Sequence, residues 1–258
     1  MNADNLRKQF ARMGAELELR RQPDGFSVDV ERQHRATRFA IALGPRAEAS
    51  VSDVQPRDRH LVLVVHEYLA KPNKFLCGHD ERDWFAAALP DAGVSNVRTA
   101  KEALKPISVR LALQQMGVKR QHRDRRRNAA FVRQGEWFFL PMPWYQVDPL
   151  LVLRNEPISR GRGKPHMTEF LVRTGGELVY VSREHPQGLS EARYRRLISK
   201  KPKLANLGWI AQRRNPAVFV RGRVRHPDHK TIVLDGWHQV VMNTENQAAS
   251  MRHLAFLD

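Results

Sequence analysis

Residues 217–242, AVFVRGRVRHPDHKTIVLDGWHQVVM, constrain the fold of this chain more than any other stretch. Val218, Val220 and Val224 share one parity of an extended strand, and Arg221, Arg223 and Arg225 share the other. Successive side chains of a strand point to opposite faces, so one face packs and the other carries guanidinium groups. Gly222 falls on the packed parity, where it suits a bulge or a close approach by another segment. The segment 226–230, HPDHK, reads as a turn, because proline presets φ and aspartate bonds its nearby backbone. A return strand is expected over 231–234. Asp235-Gly236 is a second turn signal, and 237–242 reads as a further strand.

The same segment carries candidate metal ligands. His226, Asp228 and His229 are close in sequence, His238 returns from the next strand, and His166, at the end of GRGKPH, is a candidate distant ligand. Imidazole and carboxylate suit zinc, or iron or manganese in a more open site. The spacing matches no zinc-protease or zinc-finger pattern. With 11 histidines in the chain, a solvated turn that happens to hold several is the plain alternative. In a metal-dependent hydrolase or nuclease, Glu136 or Glu169 would be the general base.

Charge supplies a second line of reasoning. The formal net charge is +17 and the pI about 10.8, an excess that attracts polyanions, nucleic acid first and an anionic membrane surface second. Six of the nine residues over 119–127 are Lys or Arg. Lys119, Arg120, Arg123, Arg125, Arg126 and Arg127 are therefore candidate phosphate contacts, and each one seated on a phosphate would make binding salt-dependent. The run also reads as a solvated linker between an N-terminal part, 1–118, and a C-terminal part, 128–258. A helix is expected after Ser190, with Tyr194, Leu197 and Ile198 on its apolar side and Arg193, Arg195, Arg196 and Lys200 around it. Arg193 and Arg196 join Arg221, Arg223 and Arg225 as candidate nucleic-acid contacts. Trp144 and Tyr145 suit base stacking or a core cap. The loop over 156–166 suits a phosphate cradle, although it lacks the Lys-Ser/Thr pair of a phosphate-binding loop. An acidic protein is the alternative partner for these basic faces.

Apolar residues make up 41 % of the chain, enough for a core, and the patterning predicts an α+β protein. The N-terminal part reads as a short helix over 5–13 and an antiparallel meander of strands over 15–21, 26–33 and 37–43, with one wet face. A loop is expected over 44–59. The aliphatic run 61–65 reads as a strand buried on both faces, ending at His66 and Glu67. Asp80 is expected to cap a helix through Trp84 and Leu89, and further helices over 97–104 and 107–116 break at Pro106. The C-terminal part reads as mostly antiparallel β with one or two helices. Its signals are a turn at Gln134-Gly135-Glu136, a hairpin of 168–172 with 177–181 across Gly175-Gly176, and a closing helix over 245–257.

Cys77 is the single cysteine, so no intramolecular disulfide and no multi-cysteine zinc site can form. A reducing cytoplasm is the simplest compartment, the first residues lack a signal-peptide core, and no apolar run is long enough to span a bilayer. Cys77 with His79 reads either as a nucleophile and its base or as an inert buried thiol near an unrelated histidine.

The segment FLCGHDERDWFAAALP with the following ALKP resembles uncharacterised bacterial proteins. The C-terminal half, with RQGEWFFLPMP, GKPH and HPDHKTIVLDGWHQVVMN, resembles a broader group of bacterial domains. Those run from a Gln-Gly-acidic opening through a Gly-His loop to a His-x-x-His turn and a final strand. The resemblance implies no reaction. It does group His166, His226 and His229 as one constellation, with Pro165-His166 standing where the group has Gly-His.

Overall fold

The computed structural model describes residues 3–33, 36–90, 93–160 and 164–247. It is an α+β protein dominated by sheets, and the chain divides into two compact units. Of the described residues, the first holds those up to Phe138, Pro227–Lys230 and 242–247, and the second Phe139–His226 and Thr231–Val241. The basic run over 119–127 falls inside the first unit. No helix among the described residues is long and apolar enough to cross a membrane.

The first unit opens with helix α1 (Ala3–Arg12), which buries Leu6 and Phe10 and is followed by Gly14 at φ +82°. Strands β1 (Leu17–Arg21), β2 (Phe26–Gln33) and β3 (Ala36–Leu43) follow. The expected meander would pair β1 with β2. Instead the order is β1-β3-β2, with β1 parallel to β3 and β2 antiparallel to it. The physical reason lies in β3, whose Phe39 and Ile41 are fully buried while β1 and β2 carry the charges. The most apolar strand takes the centre. The link over 22–25 passes the end of β3, where Gln22 N donates to Leu43 O and Gly44 N to Gly25 O. Gly44 is needed there, because a Cβ would lie 2.9 Å from the Asp24 carbonyl carbon.

An antiparallel sheet follows, β4 (Ala47–Gln55), β5 (His60–Glu67), β6 (Asn73–Asp80) and β7 (Asp83–Ala88), in that spatial order. Strand β4 occupies the stretch expected to be a loop; its alternation is carried mostly by small residues such as Ala49 and Ser50. The helix expected after Asp80 is replaced by the β6–β7 hairpin, turning at Glu81 (φ +49°) and Arg82. The sheet feeds two cores. Leu61, Leu63, Val65, Phe75, Cys77, Trp84 and Ala88 pack with α1 and the first sheet. Val62, Val64, Leu76, Ala87 and Leu89 pack with Val97, Ala100 and Leu104. Residues 84–89 thus alternate between two apolar sides, and an unbroken apolar run of that kind is not distinguishable from a helix by hydrophobicity alone. Helices α2 (Val97–Ala103), capped by a reciprocal Asn96–Thr99 pair, and α3 (Ile107–Gln115) stand where the sequence places them. Cys77 is fully buried in the first core, and burial pushes its thiol pKa up, so it is no nucleophile. His66 at the end of β5 is exposed.

The remaining strands are β8 (Val132–Gln134), β9 (Trp137–Pro141), β10 (Leu153–Ile158), β11 (His166–Thr174), β12 (Glu177–Ser182), β13 (His185–Ser190), β14 (Ile210–Arg214), β15 (Ala217–His226) and β16 (His229–Met242). Helix α4 (Glu191–Lys200) follows β13, and Tyr194 stacks on Tyr180 at 4.1 Å. One sheet has the order β10-β11-β15-β16-β9-β8 and another β13-β12-β14. The hairpin expected across Gly175-Gly176 does not form. Both edges of β11 are taken by β10 and β15, so β12 pairs instead with β13 and β14. Asp235-Gly236 is no turn either. Strand β16 runs straight through it, and Gly236 is not among the residues with positive φ. The closing helix expected over 245–257 lies mostly outside the described residues, which show a short 3-10 turn at Thr244–Gln247.

His60, the first residue of β5, lies over Gly78, where any Cβ would run into its ring. Burial, reinforced by Lys101, pushes its pKa down to about 4. The unfolded chain therefore takes up this proton first as the pH falls. The stability contributed by a neutral His60 is present above about pH 6.5 and is lost progressively toward the folded value. We expect denaturant unfolding to show a loss on the order of 2 kcal/mol over that window. His60→Gln should flatten the part of the pH profile that lies between those limits.

Candidate functional site

The parity of β15 is as the sequence implies. Val220 and Val224 are buried, and Arg221, Arg223 and Arg225 are exposed. Gly222, at φ +81°, is a bulge. Phe170 pairs with Arg221 and Thr168 with Val224, so the single residue Glu169 stands opposite both Gly222 and Arg223. Glycine suits this left-handed backbone, and a Cβ there would also crowd the Glu169 side chain, 2.7 Å from its Oε2 and 3.1 Å from its Cβ. The Glu169 carboxylate accepts from Arg223 N at 2.9 Å and Arg223 Nε at 3.2 Å. These bonds, the backbone one first, hold its carboxyl below the ordinary carboxylate range. That commitment makes Glu169 a poor general base.

Around this bulge the exposed face of the sheet combines cations with rings. The Arg221 guanidinium lies 5.2 Å from the Phe170 ring and 5.2 Å from the Trp237 ring. Arg154, on β10, lies 5.2 Å from Phe170 as well. Arg225 Nη2 donates to Asn155 Oδ1 at 3.4 Å. Arg154, Asn155, Glu169, Phe170, Arg223 and Arg225 line a cavity of about 290 Å³. Arg154, Asn155, Phe170 and Trp237 were not singled out from sequence. Trp237 is hidden there by the false Asp-Gly turn, and β10 by its overlap with the stretch over 156–166 read as a loop.

The other basic candidates differ in character. Lys119 and Arg120 line an open cavity of about 640 Å³ with Arg98 and Gln121. Arg123 Nε donates to the Val118 carbonyl at 3.0 Å. Arg126 is paired twice, with Asp80 at 2.9 Å and Glu81 at 2.7 Å, so its charge is spent inside the first unit. Burial opposes the charge on Asp80, but Arg133 and Arg126 outweigh it and hold that carboxyl low. Arg125, Arg127, Arg193 and Arg196 are exposed. Tyr145 stacks on Phe219 at 3.9 Å, which gives it a packing role, whereas Trp144 is 92 % exposed.

Of the candidate histidines, His166 and His226 stand on the neighbouring strands β11 and β15. His166 begins β11, His226 ends β15 and His229 begins β16 after the two-residue turn Pro227-Asp228. Met167 pairs with Arg225, so the next step along the ladder sets His166 beside His226. Their rings stack at 4.2 Å, and His166 is 1 % exposed. His229 belongs to the first unit, with Asp228, whereas His166, His226 and His238 belong to the second. Asp228 sits in the turn itself, and His238 lies nine residues along β16, about 30 Å at strand rise, with Nδ1 2.8 Å from Gly236 O. Glu136 lies in the β8–β9 turn, where its carbonyl accepts from Asn243 N at 2.9 Å.

No family model, no curated protein and no solved structure matches the chain.

The bulge makes a matched pair of glycine substitutions informative. Gly222→Ala meets both a left-handed backbone and the Glu169 carboxylate, and should lower stability by about 1–3 kcal/mol in denaturant unfolding. Gly236→Ala, with nothing within 4 Å of its new Cβ, should stay within about 0.5 kcal/mol of the parent or rise.

Proposed function

We propose that the protein binds nucleic acid, gripping the sugar-phosphate backbone without reading sequence, through the arginine-bearing face of its six-stranded sheet. The observation that carries this reading is the Arg221 guanidinium against Phe170 and Trp237, with Arg154, Arg223 and Arg225 on the same strands and their neighbours. Phosphates need cations, and unstacked bases need flat apolar partners. A sheet face that interleaves the two serves single strands best, because their bases are free to turn toward the rings. The net charge of +17 adds long-range attraction that is indifferent to sequence. Exposed Arg193, Arg196, Lys119, Arg120, Arg125 and Arg127 contribute to that field. A cytoplasmic location fits a chain whose one thiol is buried and unpaired with another.

Fluorescence anisotropy with labelled oligo-dT, oligo-U and a mixed duplex across a sodium chloride series tests this. Binding should weaken linearly on a log–log plot, and single strands should bind more tightly than the duplex. Replacing Arg154, Arg221 and Arg225 together with alanine should reduce the single-strand salt slope by about 0.7 for each phosphate that is no longer neutralised. Binding that ignores salt, or a triple variant that binds as the parent does, would overturn the proposal. Capture of an acidic protein that survives nuclease treatment, with no affinity for the oligonucleotides, would assign the face to a protein partner instead.

A further inference from the structure

We propose that Trp144 is a stacking station for one unpaired base, set beside the Arg221–Phe170–Trp237 cluster and resting on the reading of that face as a single-strand interface. All the residues concerned lie in the second unit. Trp144 is 92 % exposed. A tryptophan ordinarily keeps most of its surface covered in a folded chain. Leaving a ring of that size in water forgoes the burial that would stabilise the fold, so folding alone gives it no reason to stand there.

The backbone that presents the ring is tied to the cluster at two points. Residues 142–145 form a tight turn, closed by Tyr145 N donating to Met142 O at 3.0 Å. At its start, Met142 N donates to the carbonyl of Trp237 itself at 2.8 Å. At its end, the Tyr145 ring stacks on Phe219 at 3.9 Å. Phe219 precedes Arg221 by two residues on β15, and the ladder is regular between them, so both side chains leave the same face. Trp144 therefore stands between two tethers, one on each of the strands that make the Arg221–Trp237 contact. Pro141 and Pro143 fix φ on either side of Met142 and stiffen the approach. The ring is thus both exposed and held in place, and a base stacking on it costs little further ordering.

Chemistry selects the occupant. An indole beside guanidinium groups offers a flat face to a base whose phosphates the cations hold. The same connection between β9 and β10 also exposes Leu150, at 91 %, and Leu151, at 59 %, which offer bulk without a π-face. A protein partner or a lipid surface would engage such leucines as well as the ring, whereas a base needs the ring alone. Stacking is indifferent to base identity and requires the base to be out of a duplex. Trp144 accordingly favours single strands without adding a sequence preference.

The test uses the full chain with labelled oligo-dT and with an oligomer of the same length in which every nucleotide is abasic. Trp144→Ala should weaken oligo-dT binding by about five- to a hundredfold. Its salt slope should stay that of the parent, because no phosphate contact is lost. Trp144→Phe should recover most of the affinity, and Leu150→Ala should bind as the parent does. On the abasic oligomer, Trp144→Ala and the parent should be alike. Circular dichroism verifies that each variant is folded. Three results would each overturn the assignment of Trp144 and leave the arginine interface in force: oligo-dT binding by Trp144→Ala at the parent's affinity, an equal loss in Leu150→Ala, or a loss on the abasic oligomer as large as that on oligo-dT. A parent that binds neither oligomer at low salt overturns the interface and the stacking station together.

Discussion

One residue in a left-handed conformation sets the alignment of two strands in the six-stranded sheet. Gly222 adds an extra residue to β15 opposite Glu169, and everything beyond it toward the turn is paired one step further along than a regular ladder would allow. Side chains in a strand alternate faces, so a slip of one residue sends each to the wrong side. With the bulge, Val224 meets buried Thr168, Arg225 meets Met167, and His226 comes to rest against His166. Glu169 completes the device. Its carboxylate caps the Arg223 amide beside the bulge and ties down the Arg223 guanidinium. The arginine face and the His166–His226 stack, which look unrelated in sequence, are two results of the same backbone irregularity.

The first unit is built on a different constraint. Its four-stranded sheet is apolar on both sides, and alternate residues of β5, β6 and β7 enter separate cores. Phe39 anchors one of them, with its ring 5.0 Å from Phe10 and 5.6 Å from Trp84 in edge-on contacts. Such a sheet is secured by burial on two sides and tolerates charge only at its ends. His60 sits at one such end, neutral and largely desolvated. At the hairpin end, Asp80 and Glu81 are charge-matched by Arg126 and Arg133.

Much of this was legible in the residues. The Val/Arg parity of β15, the bulge at Gly222, the turn at Gln134-Gly135-Glu136 and helices α2 and α3 all follow from local patterns. Other features were not, for identifiable reasons. Residues 84–89 are apolar on both parities, which hides a strand inside a helix-like run. The Asp-Gly and Gly-Gly pairs are turn signals only when the neighbouring strand edges are open to each other, and β11 has none to spare. Glu81 and Arg154 owe their positions to residues far away in the chain, beyond the reach of any spacing rule.

Strand β14 leaves one flank of its sheet bare. It is the outer strand of the order β13-β12-β14, and all five of its residues are exposed. An open flank of backbone amides and carbonyls is a template on which a stranger's strand can crystallise. Here Arg213 reaches back to the Gly175 carbonyl at 3.2 Å and Arg214 to the Glu177 carboxylate at 2.6 Å, so both guanidinium groups are tied to β12 and its approach. What opposes such pairing here is the charge of the whole molecule: at a net +17, two copies repel each other well before their strand edges can meet.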